Sequence, residues 1–247
     1  MRQRSEQKGN EGGRSSGWSG TTFLQAGHSR ARRFVTGRTI IDQTAYLPPL
    51  MDMNQLIASN AAWAAQRRAG DPSFFPRLAA GQSPRSLWIG CADSRVAPEL
   101  WTGRGPGELF VHRNVANVVS AGDANLMAVV EFAVDHLKVG HIYVSGHEAC
   151  GGVTAALDGG VGGVIDRWIA PIMDLAEDHA AELTGIPDRE DRIHRLVELN
   201  VAEQVQQLAH SATVQAAWRR GQDLTVHGIV FHLSSGLVTD LEVSRSG

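Results

Sequence analysis

Residues 86–95 read Ser86-Leu87-Trp88-Ile89-Gly90-Cys91-Ala92-Asp93-Ser94-Arg95, and the reading of this stretch decides the fold. Ser86–Gly90 is a short apolar run of the kind found in strands buried within a sheet. It gives way at Cys91 to a polar turn. The plan recurs further along: His141-Ile142-Tyr143-Val144-Ser145 is apolar, ends at Gly146, and leads into His147-Glu148-Ala149-Cys150-Gly151-Gly152. Glu108–His112 is another such run. Helical periods stand between and around these strands, over 53–69, from Asp71-Pro72 toward Leu78, over 123–138, and over 162–183 and 188–209. Leu224–Leu233 and Leu237–Val243 flank a Ser-Ser-Gly turn and read as a terminal strand pair. The alternation predicts an α/β fold: a mostly parallel central β-sheet flanked by helices, with an antiparallel edge strand at the C-terminal end.

The chain has 247 residues, with 43% hydrophobic and 20% charged residues, ordinary values for a globular protein. The formal net charge of -3 points to neither nucleic acid nor a membrane surface as partner. No apolar stretch reaches the 18 or so residues that a spanning helix needs. Residues 1–40 carry eight Arg or Lys against two Glu, so the basic excess is concentrated there. The first fifty residues are rich in Gly, Ser and Arg and hold no sustained apolar period, which predicts a disordered or mis-assigned extension over 1–50 and a catalytic domain over 51–247. An Arg-rich, Ser-rich, acid-poor start also fits an organelle transit peptide, but a reading frame with its natural start at Met51 or Met53 is the simpler account. Cys91 and Cys150 are the chain's two cysteines. So few thiols suit a reducing compartment, and the cytoplasm is the expected location.

Two strands therefore end in candidate metal ligands, Cys91 with Asp93 on one and His147 with Cys150 on the other. In open parallel sheets functional groups gather beyond the carboxyl ends of the strands, which would bring two thiols, an imidazole and a carboxylate into one crevice. Thiolate and imidazole are the preferred ligands of zinc. The cysteines could instead form one disulfide, or sit as inert core residues beside a core histidine. Asp93 and Arg95 weigh against an apolar core, which has no use for two charges beside a thiol.

At these residues the chain resembles the β-class carbonic anhydrases in their bacterial form. The resemblance is carried by Leu87 through Val96, by Gly107-Glu108-Leu109-Phe110-Val111-His112-Arg113-Asn114-Val115-Ala116-Asn117, and by Gly146-His147 through Cys150-Gly151-Gly152. It extends to Glu198-Leu199-Asn200-Val201 and His227-Gly228, spanning about residues 53–243. It implies a lyase that hydrates carbon dioxide reversibly to bicarbonate and a proton through a zinc-bound hydroxide. Cys91, His147 and Cys150 would hold one zinc ion per chain, with water or Asp93 as the fourth ligand. Asp93 and Arg95 would be catalytic, the arginine holding the carboxylate off the metal, and Gln82 and Gly151 would contact substrate. A homodimer or homotetramer is implied, with the active site near the interface. Some relatives bind bicarbonate at an inhibitory pocket of tryptophan, arginine and tyrosine. Trp88 and Arg113 match the first two, but Phe231 stands in the tyrosine's place, so a weakened regulatory site is expected. Hydrolysis of carbonyl sulfide or carbon disulfide, or a bicarbonate-sensing role, would use the same fold. A thiol-redox role lacks the C-x-x-C spacing.

Overall fold

The computed structural model describes residues 51–247, and the expectation for residues 1–50 lies outside them. The sheet is built from β1 (Ser86–Cys91), β2 (Phe110–Asn114), β3 (His141–His147), β4 (Thr225–Phe231), β5 (Val238–Asp240) and β6 (Arg245–Ser246). Its order is β2-β1-β3-β4-β5, with β6 also paired to β4. The pairs β1–β2, β1–β3 and β3–β4 are parallel, whereas β5 and β6 run antiparallel to β4. The mostly parallel sheet with an antiparallel edge is thus as the alternation predicted.

The helices are α1 (Met53–Gly70), α2 (Phe74–Ala79), α3 (Pro98–Trp101), α4 (Ala124–Glu131), α5 (Gly151–Leu157), α6 (Gly163–Asp178), α7 (Ala180–Thr184), α8 (Arg189–Ala209) and α9 (Ala212–Arg219). The helix read over 123–138 is α-helical only to Glu131 and continues as a π-helical turn, Phe132–His136, before Lys138 takes a positive φ of 56°. The single helix read over 162–183 is two, because His179 leaves helical geometry (φ -101°, ψ 17°) between α6 and α7. The periodic apolar residues continue across that break, so the pattern alone hid it.

The position of α8 organises the core. Ile193, Val197, Val201, Val205 and Leu208 recur along one face of α8 and are buried. This face lies directly on the sheet: a Cβ on Gly146 of β3 would come 2.6 Å from Val201 Cγ2, and one on Gly228 of β4 would come 3.0 Å from Val201 Cγ1. The opposite face carries rings: Tyr143 stacks on His227 with centroids 4.9 Å apart, and Trp88 meets Trp101 of α3 edge-on at 5.0 Å. By contrast, α1 buries none of its 18 residues. Its Trp63 meets Phe74 and Phe75 edge-on, while Met53, Leu56 and Ile57 are exposed.

Candidate metal centre

Strand register delivers the candidate ligands to one end of the sheet. Gly90 of β1 pairs with Ser145 of β3, and His147 pairs with Phe231 of β4, so Cys91, His147 and Phe231 finish neighbouring parallel strands. The chain then turns sharply at Ala149, whose φ is +53°, and brings Cys150 back as the residue preceding α5. As a result the Sγ of Cys91, the Sγ of Cys150 and a ring nitrogen of His147 all lie within 4.8 Å of one another. All three residues are buried.

The chemistry of this cluster fits a metal ion. The Nδ1 of His147 stands 2.9 Å from the backbone oxygen of Glu148. A carbonyl only accepts, so Nδ1 carries the proton and Nε2 presents a lone pair, the arrangement that fixes metal-ligating imidazoles. That Nε2 is buried and has no hydrogen-bond partner, a costly state for a polar atom unless an ion satisfies it. The two sulfurs are 3.9 Å apart, within hydrogen-bond reach of each other. The contact with Cys150, and after it the nearby His147 and the backbone N–H groups of Asp93 and Ala116, hold the Cys91 thiol well below its ordinary pKa against the opposing effect of burial. The same contact with Cys91, together with burial, pushes Cys150 upward. A Cys-His-Cys set of this kind suits zinc and disfavours hard cations.

Asp93 stands beside the cluster, its Oδ2 3.9 Å from His147 Nε2. Arg95 grips it three ways: the backbone N–H and Nε each donate to Oδ1 at 2.9 Å, and Nη2 donates to Oδ2 at 2.6 Å. These bonds hold the carboxyl well below the usual carboxylate range. Arg95 also reaches the Ala149 carbonyl at 3.4 Å, which links the turns after β1 and β3.

The remaining expected site residues are placed as follows. Gln82 is exposed, four residues before β1, and the adjoining Ser83–Arg85 border a hollow with Leu137–His141 at the opposite end of the strands from Cys91. Within one chain, then, Gln82 is not brought to the cluster. Gly151 has open space where a Cβ would stand, whereas a Cβ on Gly152 would come 2.9 Å from Val115 Cγ1. Gly152 is thus the glycine at which the backbone packs closely on the turn after β2. Arg113 does not extend freely: its Nε donates to the Cys91 carbonyl at 2.7 Å and its Nη2 to the Asp93 carbonyl. Trp88 and Phe231 are both buried, and Trp101 lies against each, stacked on Phe231 at 4.5 Å. Glu148 accepts the Ser234 N–H at 2.7 Å, which ties it to the loop after β4. Trp101 was not legible as a neighbour of these residues, because it carries no metal-ligating group or marking spacing; the turn after β2 falls within the stretch that carries the resemblance, but none of its residues has a ligating side chain to assign it to the site.

Fold and centre together define an α/β protein with a buried thiol–imidazole–thiol cluster at the carboxyl end of its sheet. A carbonic anhydrase family model matches residues 86–238. The carbonic anhydrase of Emericella nidulans is 46% identical over 204 residues, covering 83% of this chain and 89% of that protein. A structure from work on two tetrameric β-carbonic anhydrases of the ascomycete Sordaria macrospora superposes with a TM-score of 0.75 at 43% identity, covering 78% of this chain and 98% of that one. The Coccomyxa β-carbonic anhydrase in complex with acetazolamide gives a TM-score of 0.75 at 42% identity, with 80% and 90% covered. The chain belongs to the β class of the carbonic anhydrase family.

Proposed function

We propose that this enzyme hydrates carbon dioxide reversibly to bicarbonate and a proton at one zinc ion per chain, held by Cys91, His147 and Cys150. The observation that carries the reading is the buried, unpartnered Nε2 of His147 facing two thiols. Zinc, when bound, acidifies water and so makes hydroxide available near neutral pH. The chain's own residues do the rest. Asp93 is ionised and fixed by Arg95, so its carboxylate is a preorganised acceptor that orients the attacking water by one hydrogen bond. Its attachment to Arg95 also keeps the carboxylate from closing onto the cluster. Gly151, with open space beside it, lets substrate approach the backbone after Cys150.

A homodimer or homotetramer fits this reading in two ways. Among the described residues Met53, Leu56 and Ile57 of α1 are exposed, apolar surface that a second copy would cover, and a second copy would be needed to present Gln82 to a metal centre. The Sordaria relatives are described as tetrameric. Among the described residues no helix is long and apolar enough to cross a membrane, and two free thiols suit the cytoplasm.

The test combines metal analysis with stopped-flow hydration of carbon dioxide, with and without acetazolamide. Wild type should hold one zinc per chain and hydrate carbon dioxide. Cys91→Ser, His147→Ala and Cys150→Ser should each lose both, since three protein ligands are the minimum for a catalytic zinc. A Cys150→Ser protein with full zinc and unaltered rates would sink the assignment.

A further inference from the structure

Asn200 and Gln204 stand one turn apart on α8 and are as buried as the valines around them, at 0% and 2% exposure. Buried amides need partners, and these two form a directed chain. Val119 N–H donates to Gln204 Oε1 at 2.7 Å, Gln204 Nε2 donates to Asn200 Oδ1 at 2.9 Å, and Asn200 Nδ2 donates to the Ala116 carbonyl at 3.0 Å. The direction is forced, because one end offers a donor and the other an acceptor. Flipping either amide would set like groups against each other.

This chain holds the turn Val115–Asn117 that follows β2. Ala116 and Asn117 have φ values of 61° and 49°, a left-handed pair that residues with a Cβ rarely adopt. Such backbone persists only where its surroundings over-determine it, and here they do. Asn114 brackets the turn, accepting the Val118 N–H at 2.8 Å and donating to the Val118 carbonyl at 2.9 Å. From the other side α5 leans in so closely that a Cβ on Gly152 would come 3.0 Å from Ala116 Cβ. Held in this way, the Ala116 N–H is aimed at the Cys91 sulfur, 3.4 Å away.

We propose that Asn200 and Gln204 are positioning residues for the metal centre, keeping the Ala116 N–H on Cys91 Sγ and so moderating the charge this sulfur offers to an ion. The proposal rests on the zinc reading above. Partners behind a ligand orient it and tune it, and their loss typically weakens metal binding about 10- to 100-fold. A sulfur deprived of its N–H donor is also more electron-rich, which couples the metal–sulfur bond to this contact.

The full chain, Asn200→Leu and Gln204→Met are compared in three measurements. These are the unfolding of the metal-free protein, the zinc dissociation constant by chelator competition, and the sulfur-to-metal charge-transfer absorption after loading with cobalt(II). Both variants should lose stability without metal. Both should also bind zinc roughly tenfold or more weakly and move the absorption to lower energy, with the larger effects in Asn200→Leu, which touches Ala116 directly. A helix-packing role alone predicts lower stability with wild-type zinc affinity and an unmoved band, and that result would overturn the proposal. Wild-type protein loaded with cadmium-113 should show scalar coupling between the metal and the Ala116 amide proton, and its absence would also overturn it, even if neither variant folds. Failure of wild type to bind any of these metals would instead overturn the zinc reading itself.

Discussion

Gly146→Ala probes how closely α8 is set on the sheet beside a candidate metal ligand. A Cβ at this position would stand 2.6 Å from Val201 Cγ2 and 2.9 Å from Val197 Cγ1, and both valines are buried. Carbon atoms pack best at about 3.5–4.0 Å, so helix and strand must part by roughly 1 Å. Forcing one methyl into a well-packed core costs about 1–3 kcal/mol, offset by the roughly 0.5–1 kcal/mol gained on replacing glycine inside a strand. The difference spans about 0–2.5 kcal/mol, and the 2.6 Å approach to Val201 places the expected net loss at roughly 1 kcal/mol or more. Val201→Ala alone should cost roughly 1–3 kcal/mol through lost burial and the hollow left behind. In the double variant the new methyl enters that hollow, so the combined loss should fall short of the sum by about 1 kcal/mol or more. Relief is partial because Val197 still stands in contact. Urea unfolding of the four full-length proteins, each freed of metal by chelation, measures every term. Strict additivity, or a Gly146→Ala protein as stable as wild type, would refute the packing argument.

Asp93→Ala and Arg95→Ala should keep most of their zinc while losing much of the hydration rate, because both orient the reactants and neither is needed to hold the ion; wild-type turnover in either would remove the pair from the mechanism. The folded Asp93 pKa is lowered by Arg95, so the stability it contributes is present in full above the unfolded carboxyl value of about 4 and is lost as pH falls below it. Asp93→Asn should therefore flatten the acid limb of a stability-against-pH curve, and identical limbs would count against the pair. Deleting residues 1–50 should leave folding and hydration intact, and an insoluble or inactive product would show that the segment does more than its composition suggests. Phe231→Tyr should strengthen inhibition by bicarbonate, since one buried hydrogen bond to an anion is worth about 1–3 kcal/mol; strong inhibition of the wild type, unchanged in the variant, would show the hydroxyl to be dispensable.

The Cys91, His147 and Cys150 cluster was legible because its chemistry is local. Cys91, His147 and Cys150 each follow an apolar strand that ends at or beside a glycine, and parallel strands place such endings together. The same logic gave the sheet order its parallel core and its antiparallel edge. Helix limits were less legible: the breaks at Phe132 and His179 interrupt hydrogen bonding without interrupting the apolar period, and only the period can be read from sequence. The residues behind the ligands were hidden for a different reason. Nothing about Asn200 or Gln204 on a helical face announces a partner some 85 positions earlier, in a turn whose left-handed backbone has no glycine to mark it.

The expected bicarbonate pocket shows how far residue matching alone carries. Trp88, Arg113 and Phe231 were matched one by one, as though the space between them were free. Trp101, in a four-residue helix that no periodicity revealed, lies on Phe231 with its plane tilted by only 14° and meets Trp88 edge-on. Arg113 meanwhile gives two of its donors to the carbonyls of Cys91 and Asp93. An anion entering here would have to compete with those carbonyls for Arg113 as well as do without the hydroxyl. The hydroxyl restored in Phe231→Tyr would answer only one of these obstacles. If inhibition in Phe231→Tyr rises only slightly, Trp101→Ala in the same background should raise it further by opening the space between the rings. No further rise would place the obstacle at Arg113, whose bonds to the Cys91 and Asp93 carbonyls also hold the first ligand turn in shape.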